Sequence, residues 1–173
     1  MQAASQQDLE HHINELARVE AARLTMAEAL RGSVGSRLSI VMRTGTAFHG
    51  RLCRVETEWV LLDEGSRSVL LPLAMIQRVQ GLGTQRARAP SKIPYTFAAA
   101  LRVLSRNRSA LVLELDSIRP AALRGVIDEV GSDYIQLMQL SDGVNRDREN
   151  RQGSVVVPTG GLVSLASSPD NEF

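Results

Sequence analysis

The sequence predicts a mainly β chain with helices (α+β class), arranged as two tandem five-stranded small β-barrels, each preceded by an α-helix. The first of three observations is an internal duplication. Gly50, Leu52, Val55, Trp59, Val60 and Leu62 return 75 positions later as Gly125, Ile127, Val130, Tyr134, Ile135 and Leu137. Pro72, Ile76 and Val79 return 86 positions later as Pro158, Leu162 and Leu165, so one insertion of 86 − 75 = 11 residues separates the two offsets. Fixed offsets of this kind mark one structural unit used twice. The second observation is a change of period, from helical spacing to strict alternation, once in each unit. The third is a phase slip within the second strand of both units. Phe48, Gly50 and Leu52 share one parity and Val55 the other, and Leu123, Gly125 and Ile127 are followed by Val130 in the same way. A strand that changes face needs a bulge or a sharp bend, which suits a small barrel whose strand turns a corner.

The elements follow in order. Residues 6–31 carry Leu9, Ile13, Leu16, Leu24, Ala27 and Leu30 mostly at three- and four-residue spacing among good helix formers, with a break near Glu20 and Arg23. Acidic residues (Asp8, Glu10, Glu15) crowd the start, Arg31 closes the end, and Gly32 and Gly35 stop the helix. Leu38, Ile40 and Met42 then alternate into a first strand that turns at Thr44-Gly45. Ala47–Thr57, Trp59–Asp63 and Ser68–Leu71 are the next strands, Glu64-Gly65 is a turn, and Pro72-Leu73-Ala74 is a tight turn into Ile76–Gln80. The Gly-, Pro- and polar-rich stretch GLGTQRARAPSKIP is the linker. Tyr95–Arg106 is a second helix, and the second unit follows as Ala110–Asp116, Ala122–Val130, Asp133–Leu140, Ser154–Val157 and Leu162–Ala166. Residues 141–153 form a charged excursion without an apolar anchor, expected to be mobile. The predicted organisation is therefore an N-terminal helix (1–35), a first barrel (36–81), a linker (82–94), a second helix (95–108), a second barrel (109–166) and a disordered tail (167–173).

Composition narrows the partners. A net charge of +1 creates no global field for nucleic acid. Arg outnumbers Lys, which occurs only at Lys92, as in a GC-rich genome. The lone Cys53 excludes an intrachain disulfide or a cysteine metal cluster and fits a reducing compartment. No signal pattern opens the chain and no apolar run approaches membrane length, so the expected location is cytoplasmic.

Residues Gly50-x-Leu52-x-x-Val55-x-x-x-Trp59 and Gly125-x-Ile127-x-x-Val130-x-x-x-Tyr134, with a Pro-led turn before the last strand, resemble the Sm-like family of Sm and LSm proteins and bacterial Hfq. The phrases GRLCRVETEWVLL and GVIDEVGSDYIQL also look like tandem proteins of high-GC Gram-positive (actinobacterial) bacteria. The resemblance spans about residues 24–80 and 95–166 and implies the Sm-like fold. It does not extend to the family's uridine pocket. Val60 and Ile135 stand where that family places a base-reading Asn, and Leu71-Pro72 and Val157-Pro158 replace its Arg-Gly. An aliphatic side chain offers no donor or acceptor to a base.

Candidate sites lie both outside and within the repeated scaffold. Between Arg78 and Arg108 there is no acidic residue, while Arg78, Arg86, Arg88, Lys92, Arg102, Arg106 and Arg108 are basic. This strip is either a solvated linker, a phosphate-binding surface with Tyr95 and Phe97 nearby for stacking, or a face for an acidic protein partner. Trp59 and Tyr134 occupy equivalent positions, either capping each core or anchoring an interface. His11 and Glu15 are spaced to pair on a helix, but two ligands make no metal site. Cys53 reads as a small buried group and His49 as a surface strand residue.

No nucleophile elbow, phosphate loop or metalloprotease signature is present, so no enzyme, metal or cofactor is expected. The expected function is a non-enzymatic interaction or scaffold protein of two Sm-like barrels that bind protein partners or self-associate. The alternative is a low-specificity RNA (or DNA) binder using Arg86, Arg88, Lys92, Arg102, Arg106 and Arg108. Neither membrane nor small-molecule substrate is inferred.

Overall fold

The computed structural model describes residues 2–90, 93–140 and 151–167. It opens with α1 (Gln2–Arg23) and α2 (Met26–Arg31), which are two helices rather than one. Thr25 separates them: its hydroxyl accepts from the Glu28 N–H while the Glu28 carboxylate accepts from the Thr25 N–H. This reciprocal capping box restarts the helix after the break near Arg23. Ala27 and Leu30 of α2 are buried, whereas Leu9, Ile13, Leu16 and Val19 of α1 are exposed. No described helix is long and apolar enough to cross a membrane.

Five strands follow: β1 (Arg37–Met42), β2 (Ala47–Val55), β3 (Trp59–Asp63), β4 (Ser68–Pro72) and β5 (Ile76–Gln80), with one 3-10 turn at Leu73–Met75. After α3 (Phe97–Arg106) come β6 (Leu111–Leu115), β7 (Ala121–Val130), β8 (Tyr134–Leu140), β9 (Arg151–Pro158) and β10 (Leu162–Ser167). A second 3-10 turn, Thr159–Gly161, precedes β10 as the first precedes β5. Both phase slips are bulges. The β2–β3 register shifts between Leu52 and Arg54, and the β7–β8 register shifts between Ile127 and Glu129. Cys53 is the extra residue of the first bulge. It is exposed, not buried as its sequence context suggests, because it shares the outward face of His49 and Arg51; the bulge acts on the residues after it and brings Val55 inward.

The repeat glycines are needed for a close backbone approach. A Cβ on Gly50 would stand 2.2 Å from the Asp63 carbonyl oxygen, and one on Gly125 would stand 2.3 Å from that of Met138. Neighbouring backbone occupies the space in both units, so only glycine fits.

The strands do not form two barrels. All ten lie in one antiparallel sheet in the order β5-β1-β2-β3-β4-β10-β6-β7-β8-β9, and that sheet is open. This overturns the two-barrel fold and, with it, the Sm-like assignment. The reason lies in one edge. Closing a unit on itself requires its fourth strand to pair with its fifth. Instead β4 pairs with β10 of the other unit, Leu70 opposite Leu165 and Val69 opposite Ala166. The bulges bend the strands, but the edges that would close each ring are used between units or left open.

The internal order is nonetheless the same twice: fifth, first, second, third, fourth. The two cores are also exchanged across the seam. Val163 and Ala166 of β10 pack in the core with Leu30, Ile40, Leu52 and Leu62. Trp59 and Leu70 of the first unit pack in the core with Leu101, Leu113, Ile135 and Leu165. Burying one such large apolar side chain is worth about 1.5–3 kcal/mol, so the seam is part of the core of both units.

Candidate assembly surface

The seam between the units is where β4 of one pairs with β10 of the other. At its centre, Leu70 and Leu165 face each other with 4% and 0% of their surface exposed. At one end the buried Ser167 hydroxyl accepts from the Ser68 N–H at 3.0 Å and donates to the Ser68 carbonyl at 3.4 Å. The side chain thus continues the ladder where the backbone pairing ends.

A second layer lies where α3 begins. The Trp59 indole N–H donates to the Tyr95 carbonyl at 2.9 Å, and the two rings meet edge to face at 5.4 Å. Arg54, held by Glu56 at 2.9 Å, lies 5.4 Å from the Trp59 ring centre and 4.8 Å from that of Tyr95. A guanidinium over two rings gains cation–π attraction while its edge keeps the carboxylate. The Phe97 N–H, at the start of α3, donates to the Glu58 carboxylate at 2.8 Å. Arg54, Trp59, Leu61, Leu70, Tyr95 and Leu104 are among the residues that line a largely apolar cavity of about 180 Å3. A third contact joins the β1–β2 turn to β6: Thr44 and Thr46 donate to the Glu114 carboxylate at 2.6 and 2.7 Å.

Each half of this seam has a counterpart at an outer end of the sheet. Among the described residues β5 pairs only with β1, and β9 only with β8. By the 86-residue offset, Ser68-Val69-Leu70-Leu71-Pro72 of β4 corresponds to Ser154-Val155-Val156-Val157-Pro158 of β9. By the same offset, Leu165 and Ala166 of β10 correspond to Val79 and Gln80 of β5. Leu70 is buried, yet its counterpart Val156 is 59% exposed. An uncharged run of β-branched residues on an open edge is the kind of strand most proteins cover or guard.

The aromatic layer is likewise repeated. Tyr134 stands where Trp59 does, half-buried, with its hydroxyl donating to Glu129 at 2.6 Å. That bond and the Glu129 charge raise the Tyr134 pKa above the ordinary value of 10.0. Asp133 takes the place of Glu58, and the Thr159 N–H donates to the Asp133 carbonyl at 2.8 Å as the Leu73 N–H does to that of Glu58 at 2.9 Å. Arg54, however, is replaced by Glu129.

The basic strip is divided among different surroundings. The linker runs along α2, where the Ala87 N–H donates to the Glu28 carbonyl at 3.2 Å and Arg31 donates to the Ala87 carbonyl at 3.5 Å. Arg86 is exposed and donates to the Gly83 carbonyl at 2.7 Å, and Arg88 is exposed beside it. Lys92 lies outside the described residues. Arg102 and Arg106, on α3, line a cavity of about 440 Å3 with Asp128 and Glu129. Arg108 pairs with Asp128 at 2.6 Å. The helix pair His11–Glu15 forms at 3.4 Å on exposed α1, and His49 is exposed. The charged excursion is described only from Arg151, and the tail only at Ser167.

Sequence reasoning selected Trp59 and Tyr134 but missed Glu58, Glu114 and Thr44. The sign change from Arg54 to Glu129 was available from the 75-residue offset. The Thr44–Glu114 contact had no signal, since it joins residues from different units. Because the sheet is open, a scaffold of two Sm-like barrels is not the basis of function. Comparison with protein-family models, with curated proteins and with solved structures finds no match.

Proposed function

We propose that the chain is a self-assembling interaction module in which β9 of one copy adds to β5 of the next, head to tail. One observation carries this reading. The chain already contains the joint, as β4 against β10, and among the described residues the two corresponding strands each pair on one side only, at its outer ends. Transferring the internal register by 86 residues places Val156 opposite Val79 and Val155 opposite Gln80 of the neighbouring copy. Such an interface is heterologous, because the two edges differ, so it generates a ring if the rotation closes and a filament if it does not. The module works by binding rather than catalysis, in the cytoplasm, where a single exposed thiol stays reduced.

The test uses two single-cysteine chains in a Cys53→Ser background, one carrying Val79→Cys and the other Val156→Cys. On mixing and mild oxidation, a disulfide-linked pair forms between the two chains, and neither chain crosslinks alone. Crosslinking of Val156→Cys with itself would replace the reading by a symmetric β9–β9 contact. A chain that sediments as a monomer at every concentration would overturn it.

A further inference from the structure

We infer that the α1–α2 junction of one copy docks on the outer end of the preceding copy, Arg23 against Glu129 and Leu24 and Met26 against Tyr134. The inference rests on the head-to-tail reading and adds a second, chemically distinct contact to it. Its occupant is a second copy of this chain, and the internal seam shows why.

At the seam, the segment leading into α3 covers the aromatic residue of the preceding unit. Tyr95-Thr96-Phe97 lies on Trp59, with Thr96 as the cap of α3, its hydroxyl accepting from the Ala99 N–H at 3.1 Å. Leu24-Thr25-Met26 has the same form: Thr25 is the cap of α2, flanked by apolar residues. Each capped helix lies ahead of its own unit's first strand. If a copy joins β9 through its β5 as β10 joins β4, Leu24-Thr25-Met26 arrives at Tyr134. These residues are now uncovered. Leu24 is 41% and Met26 43% exposed, although both are large and apolar.

The charges change together with the partners. At the seam Arg54 stacks on the Tyr95 ring, and the residue before Tyr95 is the uncharged Pro94. At the outer end Glu129 takes the place of Arg54, and the position of Pro94 is taken by Arg23, in the last turn of α1. A cation on an aromatic ring is thus exchanged for an acid with a base one residue from the ring's counterpart, within reach of a long Arg side chain. Glu129 is exposed and accepts from the Tyr134 hydroxyl, which leaves carboxylate lone pairs for a guanidinium. Arg102 and Arg106 share a cavity with Glu129, and Asp133 is the further acid beside Tyr134. The same contact would anchor α1, whose exposed Leu9, Ile13, Leu16 and Val19 have no described apolar cover, along the neighbouring molecule.

Charge reversal tests the contact in the intact chain. Arg23→Glu and Glu129→Arg are each expected to raise the concentration at which copies associate by about tenfold, since like charges then face each other. Mixing the two variants, or combining both changes in one chain, should restore association, because every joint again pairs an acid with a base. Leu24→Asp, at an exposed position, should weaken association without changing thermal unfolding of the monomer. The Val79→Cys and Val156→Cys crosslink, measured alongside, separates the two readings. If the chain with native Arg23 and Glu129 crosslinks and associates but is indifferent to all three changes, the docking contact is wrong and edge pairing stands. If it neither crosslinks nor associates, both are wrong.

Discussion

Thr44 donates a hydrogen bond to Glu114 at 2.6 Å, joining the first hairpin of one unit to the first strand of the other. Thr46 adds a second bond to the same carboxylate at 2.7 Å, and Ser164 lies 3.4 Å from its other oxygen. One side chain thereby ties the β1–β2 turn to β6 and β10. Hydrogen bonds to a charged acceptor contribute about 1.5–3 kcal/mol each when solvent is limited, and less where the group is part-exposed. Glu114→Ala should lower stability by about 1–3 kcal/mol in urea titration. Thr44→Val and Thr46→Val, combined, should reproduce most of that loss.

The seam makes unfolding a single event. Leu165→Ala, at a fully buried position, should cost about 2–5 kcal/mol. Loss of structure seen by circular dichroism and by Trp59 fluorescence should coincide, as two-state unfolding requires. Val156→Ala removes the counterpart of Leu70 at an exposed edge and should cost the monomer less than about 0.5 kcal/mol.

Gly50→Ala and Gly125→Ala should each destabilise the protein by about 1–3 kcal/mol, the usual cost of forcing atoms into filled space. The opposing groups are backbone carbonyls and cannot rotate away. Thermal unfolding compared with Gly160→Ala, where a Cβ meets nothing, checks the assignment.

The Tyr134 hydroxyl should ionise above pH 10.0 in the folded chain, because its bond to Glu129 favours the protonated form. The sign follows directly. A raised folded-state pKa means that the contribution is fully present below pH 10.0 and is lost as pH rises through the folded value. Ultraviolet titration in a Tyr95→Phe background isolates Tyr134, and Glu129→Gln should move its midpoint down.

Much of the fold is legible in the sequence. Alternation locates the strands, the doubled phase slip locates both bulges, and Pro72 and Pro158 mark the turns before the last strands. The Thr25-x-x-Glu28 box also announces the restart at α2, a signal that the run of helix formers from Gln6 to Arg31 conceals. Barrel closure is another matter. A period of two fixes which face of a strand is buried but says nothing about which strand lies beside it. Val69 and Leu70 are as suited to β5 as to β10, and the choice rests on contacts such as Glu114 with Thr44 that join residues far apart in sequence. The candidate site is legible in the same partial way. Trp59 and Tyr134 stand out as rare aromatics at matched positions, but their different burial follows from the seam alone.

The exchange of core residues across the seam also bears on how the two copies have diverged. Trp59 and Leu70 complete the core of the second half, and Val163 and Ala166 that of the first. Neither half can drift alone, because a change of volume in one must be met in the other. Val156, exposed at the outer edge, carries no such packing constraint. The inner edges are bound to each other's history, whereas this outer position answers to whatever meets it.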